Sequence, residues 1–246
     1  MLACIEFLTH LLNHWFAAPV DALLAALHIH ILHTATPIDN TLTEELIVFG
    51  VLILFFMIVR FSLSVEKPNS AQHLAEYIHE FVEGQAGQVM GHGYDPHLPI
   101  LTCLLVFILL CNCFGLLLPI ETPTSNPVVP LGLALCAFVY FNWKGVRAQG
   151  PLRYLKHFMG PVWWMSWMMF PIEIFSVFIR ILSLTVRLFA NMLASDLITL
   201  IFFSMVPFAL PIAGLGLHLF VACIQAYIFM LLTSIYLAEA TAREEH

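Results

Sequence analysis

Long apolar runs set the strongest limit on what this chain can fold into. The first extends from Leu46 to Val65, two more cover residues 98–119 and 128–143, and Pro161 to Leu237 holds two further ones. A helix of about 20 apolar residues crosses the hydrocarbon core of a bilayer and satisfies its own backbone hydrogen bonds there. Only 10% of the residues are charged, whereas an ordinary soluble domain has about 25%. The sequence therefore predicts an all-α integral membrane protein.

The predicted helices fall into a simple order. Residues 1–45 mix apolar and polar positions, which is typical of an amphipathic segment at a membrane surface, and one transmembrane helix follows them. Residues 71–90 place apolar side chains at helical spacing among polar ones and predict an amphipathic surface helix. The runs 98–119 and 128–143, joined by the short loop IETPTSNP, predict a helical hairpin. Two long C-terminal membrane helices complete a membrane domain of residues 46–246.

Charged loops predict the orientation of the chain in the membrane. The connection at residues 143–157, WKGVRAQGPLRYLKH, contains Lys and Arg residues but no acid, which is typical of a cytoplasmic loop. Counting the spans outward from this loop places the N-terminal segment 1–45 outside the cytoplasm and the C-terminus inside. The net charge of −7 arises largely in loops and ends and gives no indication of nucleic-acid binding.

Cysteine and histidine are frequent enough to raise the question of a disulfide or metal site. Most of the cysteines lie inside apolar runs, where a cysteine behaves as a small hydrophobic residue. His28, His30 and His33 have spacings that could suit a metal, yet no cysteine or carboxylate lies close by in sequence to complete a tetrahedral set. We expect a polar extramembrane segment there, and neither a metal site nor a cofactor. Without a nucleotide-binding glycine loop or a nucleophile motif, we do not expect the chain to be an enzyme.

The C-terminal apolar region holds the most unusual charges in the chain. Glu173, Arg180 and Arg187 are spaced seven apart, and at about 100° per residue a heptad returns to nearly the same side of a helix. Ser183 and Asn191 lie one turn before and one turn after Arg187 on that side. A charge at the bilayer centre costs about 2.5 to 3.5 kcal/mol on insertion scales, so each of these charges needs a partner or a watery cavity. A purely structural alternative is that Arg180 and Glu173 pair with each other.

The other polar groups of this region indicate a second polar surface. Asp196 comes nine residues after Arg187 and so faces the opposite side of a straight helix. In the last helix, His218 and Gln225 are seven apart and share a side. A lone histidine in a membrane usually packs or forms an interhelical hydrogen bond, but a histidine and a glutamine that face a buried aspartate can hold a file of water. The Pro and Gly residues from Pro207 to Gly216 predict the break between the two helices.

Two motifs carry a resemblance to a known family. The run RLFANMLASDL and the later run HLFVACIQAYIFMLLTSIYLAEA resemble subunit a of F-type ATP synthases, the stator and proton-channel subunit of the membrane sector. The family has an arginine, an acid nine positions later, and a histidine or acid seven positions before a glutamine. Four residues match that pattern: Arg187, Asp196, His218 and Gln225. Glu173 and Arg180 match an acid and a basic residue that precede the arginine, and a weaker resemblance covers most of the chain after Leu46.

The resemblance implies a function and a set of partners. Two aqueous half-channels lead protons to and from carboxyl groups on a ring of c subunits, against which the two long C-terminal helices pack, and the arginine separates the channels. The implied inlet comprises Asn191, Asp196, His218 and Gln225. The implied outlet comprises Glu173, Arg180 and Ser183. Other implied partners are the b subunits of a peripheral stalk and the lipid bilayer of a bacterial plasma (inner) membrane; the expected ion is the proton, with sodium as the alternative.

Two departures from the family pattern affect the inlet. Gly115 stands where many bacterial members have an aspartate, and Asn126 stands where the hairpin loop often has an acid. Both differences remove carboxylates from the implied inlet. We therefore expect the inlet to depend on Asp196 and His218 more than on the helical hairpin.

Two other classes of protein fit a chain of this composition. A secondary ion-coupled transporter binds its substrate at broken helices near the midplane and usually has related halves, and the sequence shows neither feature. A purely structural subunit of a respiratory complex would have less need for arginines along one side of a membrane helix. Copurification with a ring of small hydrophobic subunits would support the stator hypothesis, whereas a lone polypeptide with solute uptake would support the transporter.

Overall fold

The structure is a computed structural model that describes residues 5–13, 40–61, 63, 69–91, 93–116, 122–150, 166–205 and 209–241. The regular secondary structure within these ranges is entirely helical. Its α-helices are α1 (residues 5–13), α2 (Asn40–Phe61), α3 (Ser70–Met90), α4 (Leu98–Phe114), α5 (Val128–Gln149), α6 (Ser166–Met205) and α7 (Ala209–Thr241). Among the described residues, five helices are long and apolar enough to cross a membrane: α2, α4, α5, α6 and α7. The prediction of an all-α integral membrane protein is confirmed. His28, His30 and His33 lie outside the described residues.

The centre of the fold is a core in which α7 packs against both α4 and α6. The largest side chains there are fully buried: Leu101, Ile108, Leu188, Met192, Phe229 and Met230. On α6 the buried positions Leu184, Leu188 and Met192 recur every fourth residue, so one side of this helix faces the core. Its opposite side is apolar but exposed, at Phe175, Phe178, Leu182, Val186 and Leu193. An exposed apolar side of this length fits lipid or another apolar protein surface.

Helix α3 lies beside this core and has defined ends. Asn69 caps its first turn by accepting a hydrogen bond from the Ser70 backbone N–H at 2.8 Å. Gly91, with φ of +66°, ends the helix and donates its N–H to the Gly87 carbonyl. Gln85 of α3 accepts a hydrogen bond of 2.8 Å from the Tyr227 hydroxyl, which ties α3 to α7.

Helix α7 begins earlier than the sequence predicts. The prediction placed the break between the last two helices across Pro207 to Gly216, but the backbone is already helical from Ala209. Proline is tolerated in the first turn of a helix, where its missing N–H has no intrahelical acceptor, so Pro211 does not prevent the early start. Gly214 is buried, and a Cβ there would lie 3.1 Å from Phe202 Cδ2 and 3.5 Å from Thr199 Cα. This glycine allows α6 and α7 to approach closely; it does not end a helix.

The contrast between Gly214 and Gly216 yields a stability prediction. Gly216 is also helical, but it is exposed and a Cβ there would have no neighbour within 4 Å. We expect Gly214→Val to destabilise the protein by about 1 to 3 kcal/mol through overpacking of α6 against α7, and Gly216→Val to have much less effect. Thermal unfolding of the purified protein in detergent measures both. Equal unfolding midpoints for the two variants would contradict the close approach of the helices at Gly214.

Candidate functional site

The best-defined polar cluster lies between α6 and α7, around His218. The imidazole is only 1% exposed, and its Nδ1 lies 3.0 Å from the Ser195 hydroxyl oxygen and 3.3 Å from Asp196 Oδ1. The Asp196 side chain is 19% exposed. The structure thus brings together two residues that the sequence analysis placed in one path, Asp196 and His218. It adds Ser195, which the sequence analysis did not single out.

A backbone carbonyl determines which nitrogen of His218 can exchange a proton. His218 Nε2 lies 2.9 Å from the carbonyl oxygen of Asn112. Because a carbonyl oxygen only accepts hydrogen bonds, Nε2 must carry a hydrogen and donate it. In the neutral ring Nδ1 is therefore the unprotonated nitrogen, and the Ser195 hydroxyl donates to it. Protonation adds a hydrogen at Nδ1, next to Asp196, so a proton can pass between these two groups.

The loop of the helical hairpin contributes to this cluster together with α6 and α7. Thr122 is 1% exposed, and its hydroxyl donates to Asp196 Oδ1 at 2.8 Å. Two residues further on, the Thr124 hydroxyl donates to Asn112 Oδ1 at 2.7 Å. The Asn112 side chain is fully buried, and its Nδ2 donates to the Ala222 carbonyl at 3.4 Å. The Asn112 side chain therefore joins α4 to both α7 and the loop, and its backbone carbonyl accepts the hydrogen bond from His218.

A second pair of polar side chains lies further along the same two helices. Asn191 Nδ2 donates to Gln225 Oε1 at 2.9 Å, and Gln225 is 1% exposed. His218 and Gln225 thus face α6 from the same side of α7, where His218 lies beside Ser195 and Asp196 and Gln225 is hydrogen-bonded to Asn191. At about 1.5 Å per residue, this second pair lies roughly 7 Å along α6 from Asp196, in the direction of Arg187.

Arg187 differs from every other polar group in the site. Its side chain is half-buried on α6, one turn from Asn191, and it forms no hydrogen bond or ion pair with any residue that the structure describes. A guanidinium stays charged at every accessible pH. This side chain therefore presents a permanent positive charge within an apolar helix.

Comparison with known proteins assigns the chain to a family. The sequence profile described as ATP synthase A chain matches residues 45–238. The chain is 48% identical over 234 residues to ATP synthase subunit a of Koribacter versatilis, an alignment covering 95% of this chain and 96% of that protein. It is 42% identical to ATP synthase subunit a of Solibacter usitatus, covering 85% and 90% of the two chains. For the same subunit of Sulfurimonas denitrificans the identity is 37%, covering 83% and 92%.

The chain belongs to the ATP synthase A chain family. The resemblance drawn from its two C-terminal motifs is confirmed. Membership of this family makes it a membrane-sector subunit of an ATP synthase, and such a subunit works in a complex with the other subunits of that assembly.

The remaining predicted residues of this family member lie toward the other end of α6. Arg180 forms a two-pronged ion pair with Glu239 of α7, with nitrogen-to-oxygen distances of 2.8 and 2.9 Å. Its guanidinium also lies 5.1 Å from the centre of the Tyr236 ring. Ser183 is half-buried on the same helix. The backbone of Glu173 is helical, and its side chain lies outside the described part of the structure.

Five residues of these clusters escaped the sequence analysis: Asn112, Thr122, Thr124, Ser195 and Glu239. Asn112 carried a usable signal, because it is the most polar residue in the apolar run 98–119. Ser195 and Glu239 lie within the two motifs that carry the family resemblance, but spacing alone does not show which residues they contact. Thr122 gave no signal, since its contact with Asp196 depends on how the hairpin loop folds back.

The buried Asn112 yields a second stability prediction. Asn112→Leu leaves the buried Thr124 hydroxyl without its partner and removes a second hydrogen bond to the Ala222 carbonyl, which we expect to cost about 1 to 3 kcal/mol of unfolding free energy. Thr102→Val is the matched control on α4, because the buried Thr102 hydroxyl has no hydrogen-bond partner among the described residues. Thermal unfolding in detergent measures both. A loss in Thr102→Val as large as in Asn112→Leu would show that the hydrogen bonds of Asn112 contribute nothing.

Proposed function

We propose that this chain is the non-catalytic subunit a of an F-type ATP synthase membrane sector and provides two aqueous half-channels for protons. One half-channel leads protons to carboxyl groups on a ring of c subunits, and the other leads them away. Arg187 separates the two. The ring turns as protons pass, which couples the proton-motive force to ATP synthesis elsewhere in the complex.

The observation that carries this proposal is the free charge of Arg187. A charge in hydrocarbon requires compensation, yet no described residue of this chain supplies it. We infer that the opposite charge is supplied by a partner subunit. A carboxylate on a partner that packs against the exposed apolar side of α6 meets this requirement. Because the guanidinium cannot release its proton, it attracts an ionised carboxylate and blocks direct proton passage between the half-channels.

The inlet is assigned to the groups between α6, α7 and the hairpin. A proton received at Asp196 can pass to Nδ1 of His218 and back, because the two atoms lie 3.3 Å apart. The Asn191–Gln225 pair then lies between this cluster and Arg187 along the helix. This order of polar groups leads from the Asp196 level toward the Arg187 level. A file of water completes such a path where side chains do not touch.

The outlet is assigned to the opposite end of α6, where Glu173, Arg180 and Ser183 lie. The Arg180–Glu239 pair places charged groups between α6 and the last turns of α7 on this side. The basic residues of the loop after α5 support a cytoplasmic location for this end in a bacterium, with the N-terminal segment outside the inner membrane. Each proton that crosses releases about 2.3 kcal/mol per 100 mV of membrane potential. The b subunits of a peripheral stalk would hold the chain stationary against the ring.

The alternative of a secondary ion-coupled transporter has less support. Such transporters place their substrate at interrupted helices. Here α6 and α7 are continuous over 40 and 33 residues. Arg187, a membrane arginine without a partner among the described residues, also fits a moving carboxylate better than a fixed substrate site.

Replacement of Arg187 tests the proposed function. We expect Arg187→Ala to abolish ATP-driven proton pumping in inverted membrane vesicles, because neither the attraction of the ring carboxylate nor the barrier between half-channels remains. Arg147→Ala, at an exposed position near the end of α5, is the control for loss of one positive charge and should still pump. Normal pumping by an assembled Arg187→Ala complex would refute the proposal.

Replacement of the inlet pair tests the path itself. We expect Asp196→Asn and His218→Ala each to lower pumping by roughly a hundredfold, the low end of what a positioned proton-transfer group contributes. The loss should be incomplete because water can partly replace a relay group. Pumping is followed by fluorescence quenching in the same vesicles. If the double variant pumped like the wild type, the inlet would have to lie elsewhere.

A further inference from the structure

We propose that the Thr122 hydroxyl is a positioning residue of the inlet, which holds Asp196 Oδ1 against His218 Nδ1 so that a proton can pass between them. This inference rests on the proposed function and adds a residue to it. The residue comes from the hairpin loop, which the sequence analysis expected to contribute less to the inlet than α6 and α7.

The need for such a residue follows from the neutral state of His218. With Nε2 donating to the Asn112 carbonyl, Nδ1 has only a lone pair to present to Asp196. An ionised Asp196 Oδ1 also has only lone pairs, and yet it lies 3.3 Å from Nδ1. Two acceptors face each other at this distance without attraction. Something else must hold the carboxylate there until a proton arrives.

Thr122 is the group that does so. Its hydroxyl donates to the same oxygen, Asp196 Oδ1, at 2.8 Å. The other carboxylate oxygen, Oδ2, is buried and has no hydrogen-bond partner among the described residues. When His218 is neutral, Thr122 is therefore the only described hydrogen-bond donor to Asp196.

The loop keeps the Thr122 hydroxyl in a fixed place. The Thr122 carbonyl accepts hydrogen bonds from both the backbone N–H and the hydroxyl of Ser125, at 2.8 and 2.6 Å. Thr124 is in turn bonded to the fully buried Asn112. Because these bonds hold the backbone of the loop, the Thr122 side chain loses little further entropy when its hydroxyl donates to the carboxylate.

Gly115 leaves the space that this hydroxyl occupies. A Cβ at residue 115 would overlap Thr122 Oγ1 and would lie 3.1 Å from Thr122 Cβ and 3.3 Å from His218 Cε1. Any side chain at 115 must therefore displace the hydroxyl. Glycine is needed here for space, because its φ of −64° suits any residue.

The proton step is simple and leaves Thr122 unchanged. The Ser195 hydroxyl first turns its hydrogen away from His218 Nδ1. A proton on Asp196 Oδ1 then moves to Nδ1, which breaks one O–H bond, forms one N–H bond and leaves a carboxylate beside an imidazolium. Thr122 keeps its own hydrogen and donates it to Oδ1 before and after the transfer. The reverse transfer restores the neutral pair.

Two variants of Thr122 separate the hydroxyl from the shape of the side chain. Thr122→Val keeps the shape but removes the donor, and we expect it to lower ATP-driven proton pumping per assembled complex by about tenfold, as the loss of a hydrogen bond to a charged group would. Thr122→Ser keeps the donor and should retain most of the wild-type rate. Thr102→Val, which removes a buried hydroxyl that has no described partner, controls for the substitution and should pump normally.

Gly115→Ala tests the same contact without a substitution at residue 122. We expect it to reduce pumping as Thr122→Val does, because its Cβ pushes the hydroxyl away from Asp196. The amount of each variant in the membrane is measured by immunoblot, and rates are compared per assembled complex. Selective loss in Thr122→Val and Gly115→Ala, with Thr122→Ser active, supports the inference.

Two results would overturn the proposed role of Thr122. Asp196→Asn, measured in the same assay, distinguishes failure of that role from failure of the proposed function. Thr122→Val that pumps like Thr102→Val would show that the hydroxyl is not needed. A Thr122→Ser rate as low as that of Thr122→Val would show that the methyl group, rather than the donor, matters. If Asp196→Asn lowers pumping while Thr122→Val does not, only the role of Thr122 is rejected. If Asp196→Asn pumps normally, the proposed inlet fails as well.

Discussion

The rest of this structure depends on one electrostatic constraint: a guanidinium that cannot lose its charge lies half-buried on an apolar membrane helix. Hydrocarbon penalises that charge unless an opposite charge is near. In this chain Arg180 is satisfied by Glu239, whereas Arg187 has no partner among the described residues. Two arginines seven residues apart on one helix thus differ in pairing: Arg180 has an ion-pair partner on α7, and Arg187 has none among the described residues. The difference favours a structural contribution from Arg180 and an external partner for Arg187.

The fold around this charge combines a close-packed core with an exposed apolar side. The core of α4, α6 and α7 fixes the spacing of the helices, and the contact at Gly214 brings α6 and α7 together near the polar cluster. The hairpin loop then reaches Asp196 through Thr122. Because α4 contributes a backbone carbonyl, and α6, α7 and the loop contribute side chains, to the cluster around His218 and Asp196, proton exchange there depends on tertiary packing as much as on the acid and base themselves.

Much of this arrangement could be predicted from the sequence, for a physical reason. Apolar length identifies a membrane helix, and a spacing of seven residues places Arg187 with Arg180, and His218 with Gln225, on one side of a helix each. These are local properties, and they led to the right family. The partner of Arg180 on α7 and the placement of Thr122 against Asp196 depend on how separate elements pack, which no periodicity encodes. The start of α7 was predicted too late because proline and glycine were taken as helix breakers, whereas Gly214 serves a close helix contact.

The central claim is that Arg187 separates two aqueous paths, and a map of water access along α6 and α7 tests it most directly. Single cysteines are placed from Phe170 to Thr199 and from Leu215 to Tyr236 in an assembled complex without native cysteines, and their reaction with a water-soluble thiol reagent is measured from each side of the membrane. The account predicts two separate reactive zones, one on each side, with unreactive positions at the level of Arg187. A single reactive zone that runs past Arg187 would contradict it.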